Sequence, residues 1–369
     1  MKITRIDVFG YDLHYAHGSY VMSGGRSVTA LPSTVVRLQV DEGLTGWGEV
    51  CPLGATYLAG HAGGARAALR EMAPALMGAD PCNLALVNDR MDAALRGHGY
   101  AKSPVDMACW DLFGKATGRP VAALLGGRRQ AAYPLYVAVP LGTAEEMAAY
   151  VQAKRAGGIH RFQLKIGGEP RADRARIDAV LRVTGDEDIL VADANGGWTL
   201  QEAMVAARLL EPLPRVVLEQ PCRTLEECLY IRRHTNLPMV LDEVIIDVHT
   251  FLRAFQEQAM EAINLKISKV GGLTKARLIR DLAETLGVRL TIEDTWGGDI
   301  VTSAISHLAG STRPELLFTV SFMNDWVLEH VARHQPRSRG GMGATHDTPG
   351  LGIEVDEGLL RKPLYSVTA

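Results

Sequence analysis

The chain has 369 residues, of which 47% are hydrophobic and 22% charged, and its formal net charge is −3 at pH 7. This length allows more than one domain and a large core, while the weak negative charge argues against binding to nucleic acid or to anionic membranes. We expect neither a membrane span nor a secretory leader, and the five scattered cysteines without a CxxC pair indicate reduced thiols in a cytoplasmic protein.

Residues 1–125 are predicted to form an α+β domain of their own. The segment opens with a strand-like run, MKITRIDVFGYDL, followed by a glycine- and serine-rich stretch from His17 to Ser27. STVVRLQV and TGWGEV alternate as strands do, and the intervening DEG indicates a hairpin. Helical patterns follow in ARAALREMAPALMG and SPVDMACWDLFGKATG. Strands followed by helices are typical of an α+β unit.

From Tyr133 to about Ser321, short apolar strands alternate with helical patterns. The eight strands are PLYVAVP, RFQLKI, ILVAD, RVVLE, PMVLD, AINLK, RLTIE and LLFTVS. A repeat of roughly 25 residues over eight units predicts a (β/α)8-type barrel of parallel strands. The helix TLQEAMVAARLLEPL begins with a capping box of Thr199 and Glu202, and the last helix is expected to be shortened or irregular.

The glycine-rich tail, RSRGGMGATHDTPGLGIEVD, is expected to return to the N-terminal domain. We therefore divide the chain into three parts: an α+β capping domain at 1–125, a barrel at 126–335, and a C-terminal segment at 336–369 that rejoins the capping domain. No low-complexity linker separates these parts, which favours domains that pack tightly against each other.

One charged side chain closes each of six successive apolar strands. These residues, spaced 23 to 28 apart, are Lys165, Asp193, Glu219, Asp242, Lys266 and Asp294. Barrel enzymes place their chemistry at the carboxyl ends of the strands. Strands two and six lie opposite each other in a ring of eight, so Lys165 and Lys266 should face each other across the barrel mouth. Three carboxylates should lie on the arc between them.

This arrangement predicts a metal-dependent proton transfer. Three adjacent carboxylates require a cation to stay ionised, and oxygen ligands suit Mg²⁺, with Mn²⁺ as a second option. A divalent cation can hold a substrate carboxylate and stabilise the dianion left when the α-proton departs. Two opposed lysines can take a proton from one face of a carbon and return one to the other. The predicted reaction is racemisation or epimerisation of a small carboxylate.

Structural alternatives exist for single members of this set. Asp242 could simply pair with Lys266 at the rim of the barrel. Asp294 is either a partner of a lysine or a structural residue. Glu243 is the other candidate metal ligand on the fifth strand, and strand alternation should let only one of Asp242 and Glu243 point into the barrel.

The charged ladder resembles that of the enolase superfamily, in particular the two-lysine, muconate-lactonizing type of the mandelate racemase/muconate lactonizing enzyme family. The resemblance extends over essentially the whole chain, through AKSPVDMACWDLFGKATGRPVAALLGG, VADANGGW, LEQP, LDE and NLKISKVGGL. It implies a homo-oligomer, from dimer to octamer, and it favours Asp242 over Glu243. The roles it implies are Mg²⁺ ligands at Asp193, Glu219 and Asp242, an acid/base pair at Lys165 and Lys266, and an orienting residue at Asn195.

The chain departs from the family pattern in three places. The second strand of the family usually reads Lys-x-Lys, but here Gln163 replaces the first lysine. The Asp-x-Asp of dipeptide epimerases is absent after the eighth strand, where the chain reads SFMNDW from Ser321. The seventh strand ends in EDTWGGD rather than in the histidine of mandelate racemase itself. These departures disfavour a dipeptide substrate and the lysine/histidine machinery.

The substrate is expected to meet two loops of the capping domain and an aromatic rim. The loops run from His17 to Arg26 and from Cys51 to Gly64, where Tyr57 and His61 are the candidate contacts. The rim comprises Trp296, Phe322 and Trp326. These rings either pack against the barrel helices or bind an N-alkylated ammonium group by cation–π attraction.

GATYLAGHAGG and DTWGGDI resemble segments of proline-betaine 2-epimerases in this family. The leading hypothesis is therefore an isomerase that epimerises a proline betaine or another N-modified amino acid. The alternatives are a dehydratase or cycloisomerase acting on a hydroxy acid or related carboxylate, and a non-catalytic binding protein.

Overall fold

The capping domain is built on a four-stranded antiparallel sheet in a computed structural model that describes residues 1–368. Its strands are Ile3–His14, Ala30–Val40 and Thr45–Val50, with Tyr365–Thr368 added at the edge of the sheet. The C-terminal strand pairs antiparallel with the first, in a register that places Arg5 opposite Thr368. The second and third strands form the hairpin that DEG predicts.

Helices pack on one face of this sheet. They span Ala62–Met72, Leu84–Ala94 and Gly99–Thr117, with a 3₁₀ turn at Ala73–Leu76. The short helix Val121–Leu124 packs on the barrel helix Asp299–Gly310, and the 3₁₀ turn Ser23–Gly25 lies against barrel loops at Gly167 and Gly197. The long helix Gly99–Thr117 is buried along most of its length and crosses the strand Thr45–Val50 closely. A Cβ on Gly48 would lie 1.8 Å from the Pro104 carbonyl oxygen, so only glycine permits this contact.

The second domain is a curled sheet of eight parallel strands that follow one another in chain order, as predicted. A hydrogen bond of 2.9 Å from the Tyr136 N–H to the Val320 carbonyl links the two ends of the sheet. The strands are Val137–Val139, Arg161–Lys165, Ile189–Asp193, Val216–Glu219, Met239–Leu241, Ala262–Lys266, Arg289–Glu293 and Leu317–Val320.

Helices fill the connections between these strands. They are Ala144–Ala156, Pro170–Leu181, Leu200–Leu210, Leu225–Arg232, Val248–Gln256, the pair Ile267–Val270 and Leu273–Leu286, and Asp299–Gly310. The predicted capping box of Thr199 and Glu202 is present. A 3₁₀ turn, Met323–Trp326, follows the eighth strand where a regular barrel has its last helix. No helix within residues 1–368 combines the length and apolarity needed to cross a bilayer.

The remaining elements are short and tie the chain's ends to the barrel. A four-residue helix, Glu357–Leu360, precedes the C-terminal strand. Three two-residue ladders join Tyr20–Val21 to Ser27–Val28, Tyr133–Pro134 to Met342–Gly343, and Ala332–Arg333 to Glu354–Val355.

Buried carboxylates of the capping domain bind the amino ends of barrel helices. Glu49 accepts hydrogen bonds from the N–H groups of Gly298 and Val301, at 3.1 and 3.2 Å, where Asp299–Gly310 begins. Asp106 accepts from the N–H and hydroxyl of Thr274, at 2.9 and 2.6 Å. Because a helix amino end carries unpaired N–H groups and partial positive charge, each contact stabilises one orientation of the capping domain over the barrel mouth.

Candidate active site

The two predicted lysines lie at the carboxyl ends of opposite barrel strands, and both are buried. Parallel pairing sets Lys165 beside Asp193, and its ammonium donates to the Asp193 carboxylate. Lys266 donates to the Asp242 carboxylate and lies 3.5 Å from Glu293. Burial opposes the charged form of a lysine, but the Asp193 and Asp242 carboxylates raise the pKa of Lys165 and Lys266 above the ordinary value.

Glu219, the central carboxylate, is held by two neutral amides. Gln163 donates to its two oxygens at 3.0 and 3.1 Å, and Asn264 donates to one at 2.6 Å. Burial, together with the charges of Asp193 and Asp242, raises the pKa of Glu219 well above its ordinary value. Gln163 therefore occupies the position of the family's first lysine as a hydrogen-bond donor to a carboxylate. Asn264 was not singled out in the sequence, although it is two residues before Lys266 on the same face of the strand.

Asp242 is contacted by a third lysine that the sequence analysis did not identify. Lys269 donates to its Oδ1 at 2.8 Å, and the Lys269 side chain is 3% exposed. The short helix Ile267–Val270 begins directly after Lys266 and turns Lys269 back over the strand end. Burial favours the neutral acid, but the Lys266 and Lys269 ammonium groups hold the pKa of Asp242 well below its ordinary range.

Both acids at the end of the fifth strand reach the site, so the expectation that alternation admits only one of them was wrong. The strand ends at Leu241, and the backbone that turns after it no longer alternates. Glu243 accepts from the Asn195 amide at 3.1 Å, and Asn195 also donates to Asp193 at 2.9 Å. Burial and the nearby charges of Asp242 and Asp193 raise the pKa of Glu243 to about 7.

On the seventh strand the acid beside the lysines is Glu293, whereas the residue predicted from the sequence is Asp294. Glu293 closes the strand next to Lys266 and accepts from the Tyr136 hydroxyl. Asp294 turns away from the lysines, accepting from the Ser268 N–H at 3.1 Å and the Thr295 N–H at 2.7 Å. Burial raises the pKa of Asp294 to about 6. Asp294 was predicted to be either a partner of a lysine or a structural residue, and its contacts match the structural role.

The oxygen atoms of this site suit a hard divalent cation. Asp193, Glu219 and Asp242 are at most 1% exposed. Beside them, Asn195 Oδ1 and Glu243 Oε2 are buried without a hydrogen-bond partner among the described residues, and such oxygens are ligands for Mg²⁺ or Mn²⁺. The carboxylates of this described region do not all come within 4.8 Å of one another. A cation would compete with Lys165 for Asp193 and with Lys266 for Asp242.

A loop of the capping domain completes the site. The Tyr57 hydroxyl donates to Asp242 Oδ2 at 2.9 Å and accepts from the Lys266 ammonium, which lies 4.9 Å from the Tyr57 ring centre. Burial, reinforced by the Asp242 charge, raises the pKa of Tyr57 well above its ordinary value, so it stays a neutral donor. His61, in contrast, accepts from the Gly64 N–H and caps the helix Ala62–Met72.

Edge-to-face aromatic rings form a wall beside the polar cluster. Trp296 packs against Tyr20, with ring centres 5.2 Å apart, and against Trp326 at 5.7 Å. Tyr136, whose hydroxyl binds Glu293, packs against Trp326 at 5.9 Å. Phe322 packs on Tyr133 with ring centres 6.1 Å apart and lines the same cavity as Tyr136 and Trp326. The Trp296 indole N–H is buried and has no acceptor among residues 1–368.

Comparison with known proteins assigns these features to one family. Residues 14–126 match the model of the mandelate racemase/muconate lactonizing enzyme N-terminal domain, and residues 146–359 match the enolase C-terminal domain-like model. The chain is 50% identical to a cis-3-hydroxy-L-proline dehydratase of Roseibium aggregatum, over 99% of each chain. It is 30% identical to an N-succinyl-L-Arg/Lys racemase of Bacillus cereus, over 98% of each.

Solved structures agree with this assignment. A mandelate racemase/muconate lactonizing enzyme relative from Roseovarius nubinhibens ISM, complexed with magnesium, superimposes with a TM-score of 0.96 at 37% identity. The match covers all of both chains. The predicted fold, a barrel with an α+β cap, is thereby confirmed. The relatives include both a dehydratase and racemases, so they agree on the family but differ in the reaction that they catalyse.

Proposed function

Since the chain belongs to the mandelate racemase/muconate lactonizing enzyme family of the enolase superfamily, we propose that it is a dehydratase of a cyclic 3-hydroxy amino acid, cis-3-hydroxy-L-proline. The observation that carries the proposal is the placement of Lys165 and Lys266 on opposite sides of one carboxylate cluster. The 50% identity to a dehydratase of this substrate supports it.

The stereochemistry of the substrate fits two opposed lysines. In cis-3-hydroxyproline the carboxyl and hydroxyl groups share one face of the ring, so the α-hydrogen lies on the opposite face from the hydroxyl. One lysine removes the α-proton, and the pair of electrons from that bond forms the C2–C3 double bond. The hydroxyl leaves from the other face as water, with a proton from the second lysine. This is an anti elimination that neither lysine could perform alone.

Asp193, Glu219 and Asp242 would hold a Mg²⁺ or Mn²⁺ ion, which when bound supplies positive charge that stabilises the enolate form of the substrate carboxylate. Gln163 and Asn264 fix the orientation of Glu219, and Asn195 that of Asp193. Burial lowers the pKa of a lysine that has no carboxylate partner, so a lysine released from its aspartate becomes a base. The Tyr57 loop covers Lys266 and excludes water from it.

The aromatic wall supports recognition of the ring nitrogen. A protonated secondary amine beside Trp296 and Trp326 gains cation–π attraction, and the unpartnered Trp296 N–H can donate to the substrate. The segment after the eighth strand offers Asp325, but this carboxylate accepts from the Ser338 N–H at 3.0 Å. Aromatic rings, rather than acids, therefore face the site at this edge.

The same wall favours a second candidate, 2-epimerisation of an N-modified proline such as a proline betaine. A quaternary nitrogen has no N–H to donate, so aromatic faces suit it better than carboxylates do. Without a leaving group at C3, the second lysine would return a proton to C2 and invert its configuration.

Two matched substrates test the dehydratase proposal. The enzyme loaded with Mg²⁺ is incubated with cis-3-hydroxy-L-proline and, separately, with trans-3-hydroxy-L-proline, whose α-hydrogen and hydroxyl share one face. We expect the C2–C3 enamine from the cis isomer alone, detected as its cyclic imine tautomer, in which the nitrogen has lost its proton and C3 has gained one. Exchange of the α-hydrogen of proline betaines for deuterium, without imine from the cis isomer, would establish the epimerase instead. Equal turnover of the cis and trans isomers would refute the two-face mechanism.

A further inference from the structure

Arg26 lies at the end of the first capping-domain loop, beside the barrel. Its carbonyl accepts from the Met22 N–H at 2.9 Å, and Gly24 and Gly25, both with positive φ, form the turn between them. Ser23, in the same turn, is fully buried where the loop meets the barrel. The turn therefore holds the backbone of Arg26 at a fixed place beside the active site.

The Arg26 guanidinium connects three segments that are far apart in the sequence. Within the turn, Nε donates to the Ser23 carbonyl at 3.0 Å and Nη2 to the Ser23 hydroxyl at 2.7 Å. Nη2 also donates to the Asn195 carbonyl of the barrel, at 3.2 Å. Nη1 donates to the Thr56 carbonyl at 3.5 Å, and the guanidinium carbon lies 5.8 Å from the Tyr57 ring centre. One planar group thus spans the turn, the barrel and the Tyr57 loop.

The barrel acceptor of Arg26 is fixed by the carboxylate cluster. Asn195 has a left-handed backbone, with φ of 47°, and its side-chain amide donates to Asp193 at 2.9 Å and to Glu243 at 3.1 Å. Because these hydrogen bonds hold Asn195, its carbonyl offers Arg26 an acceptor at a set position. The guanidinium is therefore anchored on its barrel side, and from there it reaches the Thr56 carbonyl.

The bridge depends on the shape of the arginine side chain. Its acceptors in the turn, the barrel and the Tyr57 loop are neutral oxygens. A planar guanidinium with five N–H donors can reach several such oxygens at once. A lysine at this position would carry the same charge on a compact ammonium, without the planar fork. The bridge therefore requires arginine rather than a positive charge alone.

We propose that Arg26 is a positioning residue that holds Tyr57 on Lys266. The Tyr57 hydroxyl donates to Asp242 at 2.9 Å and accepts from the Lys266 ammonium. Arg26 binds the carbonyl directly before Tyr57 and lies beside its ring, so it fixes both the backbone and the side chain of this loop residue. The effect on turnover rests on the proposed two-lysine reaction, whereas the hold of Arg26 on Tyr57 can be measured without substrate.

Limited proteolysis with chymotrypsin measures this hold. Cleavage between Tyr57 and Leu58 is followed by mass spectrometry in wild type, Arg26→Gln and Arg26→Lys. The matched control is Arg233→Gln, at an arginine that is 63% exposed at the end of a barrel helix. We expect both Arg26 variants to be cleaved there at least about tenfold faster than wild type and control, because cleavage follows the population of the released loop.

Cleavage elsewhere in the chain should stay at the wild-type rate, which separates release of the loop from general unfolding. Equal cleavage after Tyr57 in wild type and Arg26→Gln would overturn the proposal. So would faster cleavage at all sites alike, or a full return to the wild-type rate in Arg26→Lys.

A double-mutant cycle on the dehydration of cis-3-hydroxy-L-proline tests the effect on turnover. Arg26→Gln should lower kcat about tenfold, as is expected of Tyr57→Phe. Because Arg26 acts through Tyr57, the double variant should lose clearly less than the roughly hundredfold that independent effects would give. A raised KM with unchanged kcat, or the full hundredfold loss, would overturn the proposal. If the wild type does not turn over this substrate, the proposed function fails, and the cleavage rates alone decide the role of Arg26.

Discussion

Acidification is expected to loosen the capping domain from the barrel through His307. This residue lies on the barrel helix Asp299–Gly310 and is fully buried. Its Nδ1 accepts from the Ala122 N–H at 3.1 Å, so Nε2 carries the proton and donates to the Leu351 carbonyl at 3.0 Å. His307 thereby joins the last helix of the capping domain, Val121–Leu124, and the C-terminal segment to the barrel. Protonation of Nδ1 would set its N–H against the Ala122 N–H, and the hydrogen bond from Ala122 would be lost.

The magnitude follows from the difference in pKa between the folded and unfolded states. Burial lowers the pKa of His307 to about 4, against an ordinary value of 6.5. Between these values the unfolded chain binds a proton that the folded protein does not, so stability falls as the pH falls. The contribution is complete above pH 6.5 and is lost progressively down to pH 4. From pH 7 to 4.5 the expected loss is about 2 kcal/mol.

Urea unfolding at pH 7 and pH 4.5 measures this loss, with wild type compared to His307→Asn. The asparagine Oδ1 can still accept from the Ala122 N–H but does not titrate. We expect the pH-dependent loss of unfolding free energy to be smaller in this variant by about 2 kcal/mol. His249→Asn, at an exposed position, should retain the wild-type loss. An identical loss in wild type and His307→Asn would refute the reasoning.

Three further predictions concern the active site. Lys165→Ala and Lys266→Ala should each lower kcat at least about 10²-fold in steady-state assays, while the exposed control Lys362→Ala stays at the wild-type rate; unchanged turnover in either would eliminate the two-base mechanism. Treatment with EDTA should abolish turnover, and added Mg²⁺ or Mn²⁺ should restore it; an active chelated enzyme would contradict the proposed cation. Tyr57→Phe keeps the ring but removes the hydroxyl at Lys266, so kcat should fall about tenfold, and an unaltered rate would assign Tyr57 to packing alone.

Much of the site could be predicted because barrel geometry repeats. Eight apolar strands at regular spacing specify a ring, and the position of a strand in the ring specifies which residues oppose each other. Lys165 and Lys266 were paired across the barrel on this argument, and the structure places them on the second and sixth of eight strands in order. Gln163 and Asn195 were named through a resemblance, and each contacts a predicted carboxylate.

Other site residues could not be predicted from the sequence, because the alternation of side chains between two faces holds only within a strand. Lys269 lies on a helix that begins directly after Lys266, so its direction depends on where that helix starts. The sequence favours Asp294 over Glu293 as the site residue, but the strand ends at Glu293 and Asp294 turns towards Ser268.

The sequence by itself determined the order of strands, the facing of residues within them and hence the opposition of two lysines across three carboxylates. These properties are local, because parallel neighbours in chain order and strand alternation need no long-range information. The tertiary structure decided which acids beyond the strand ends enter the site, admitting Glu243 and turning Asp294 away. It also brought Tyr57 to Asp242 across 185 residues of chain, since the capping domain docks through a hydrophobic core that it shares with the barrel and that joins residues far apart in sequence.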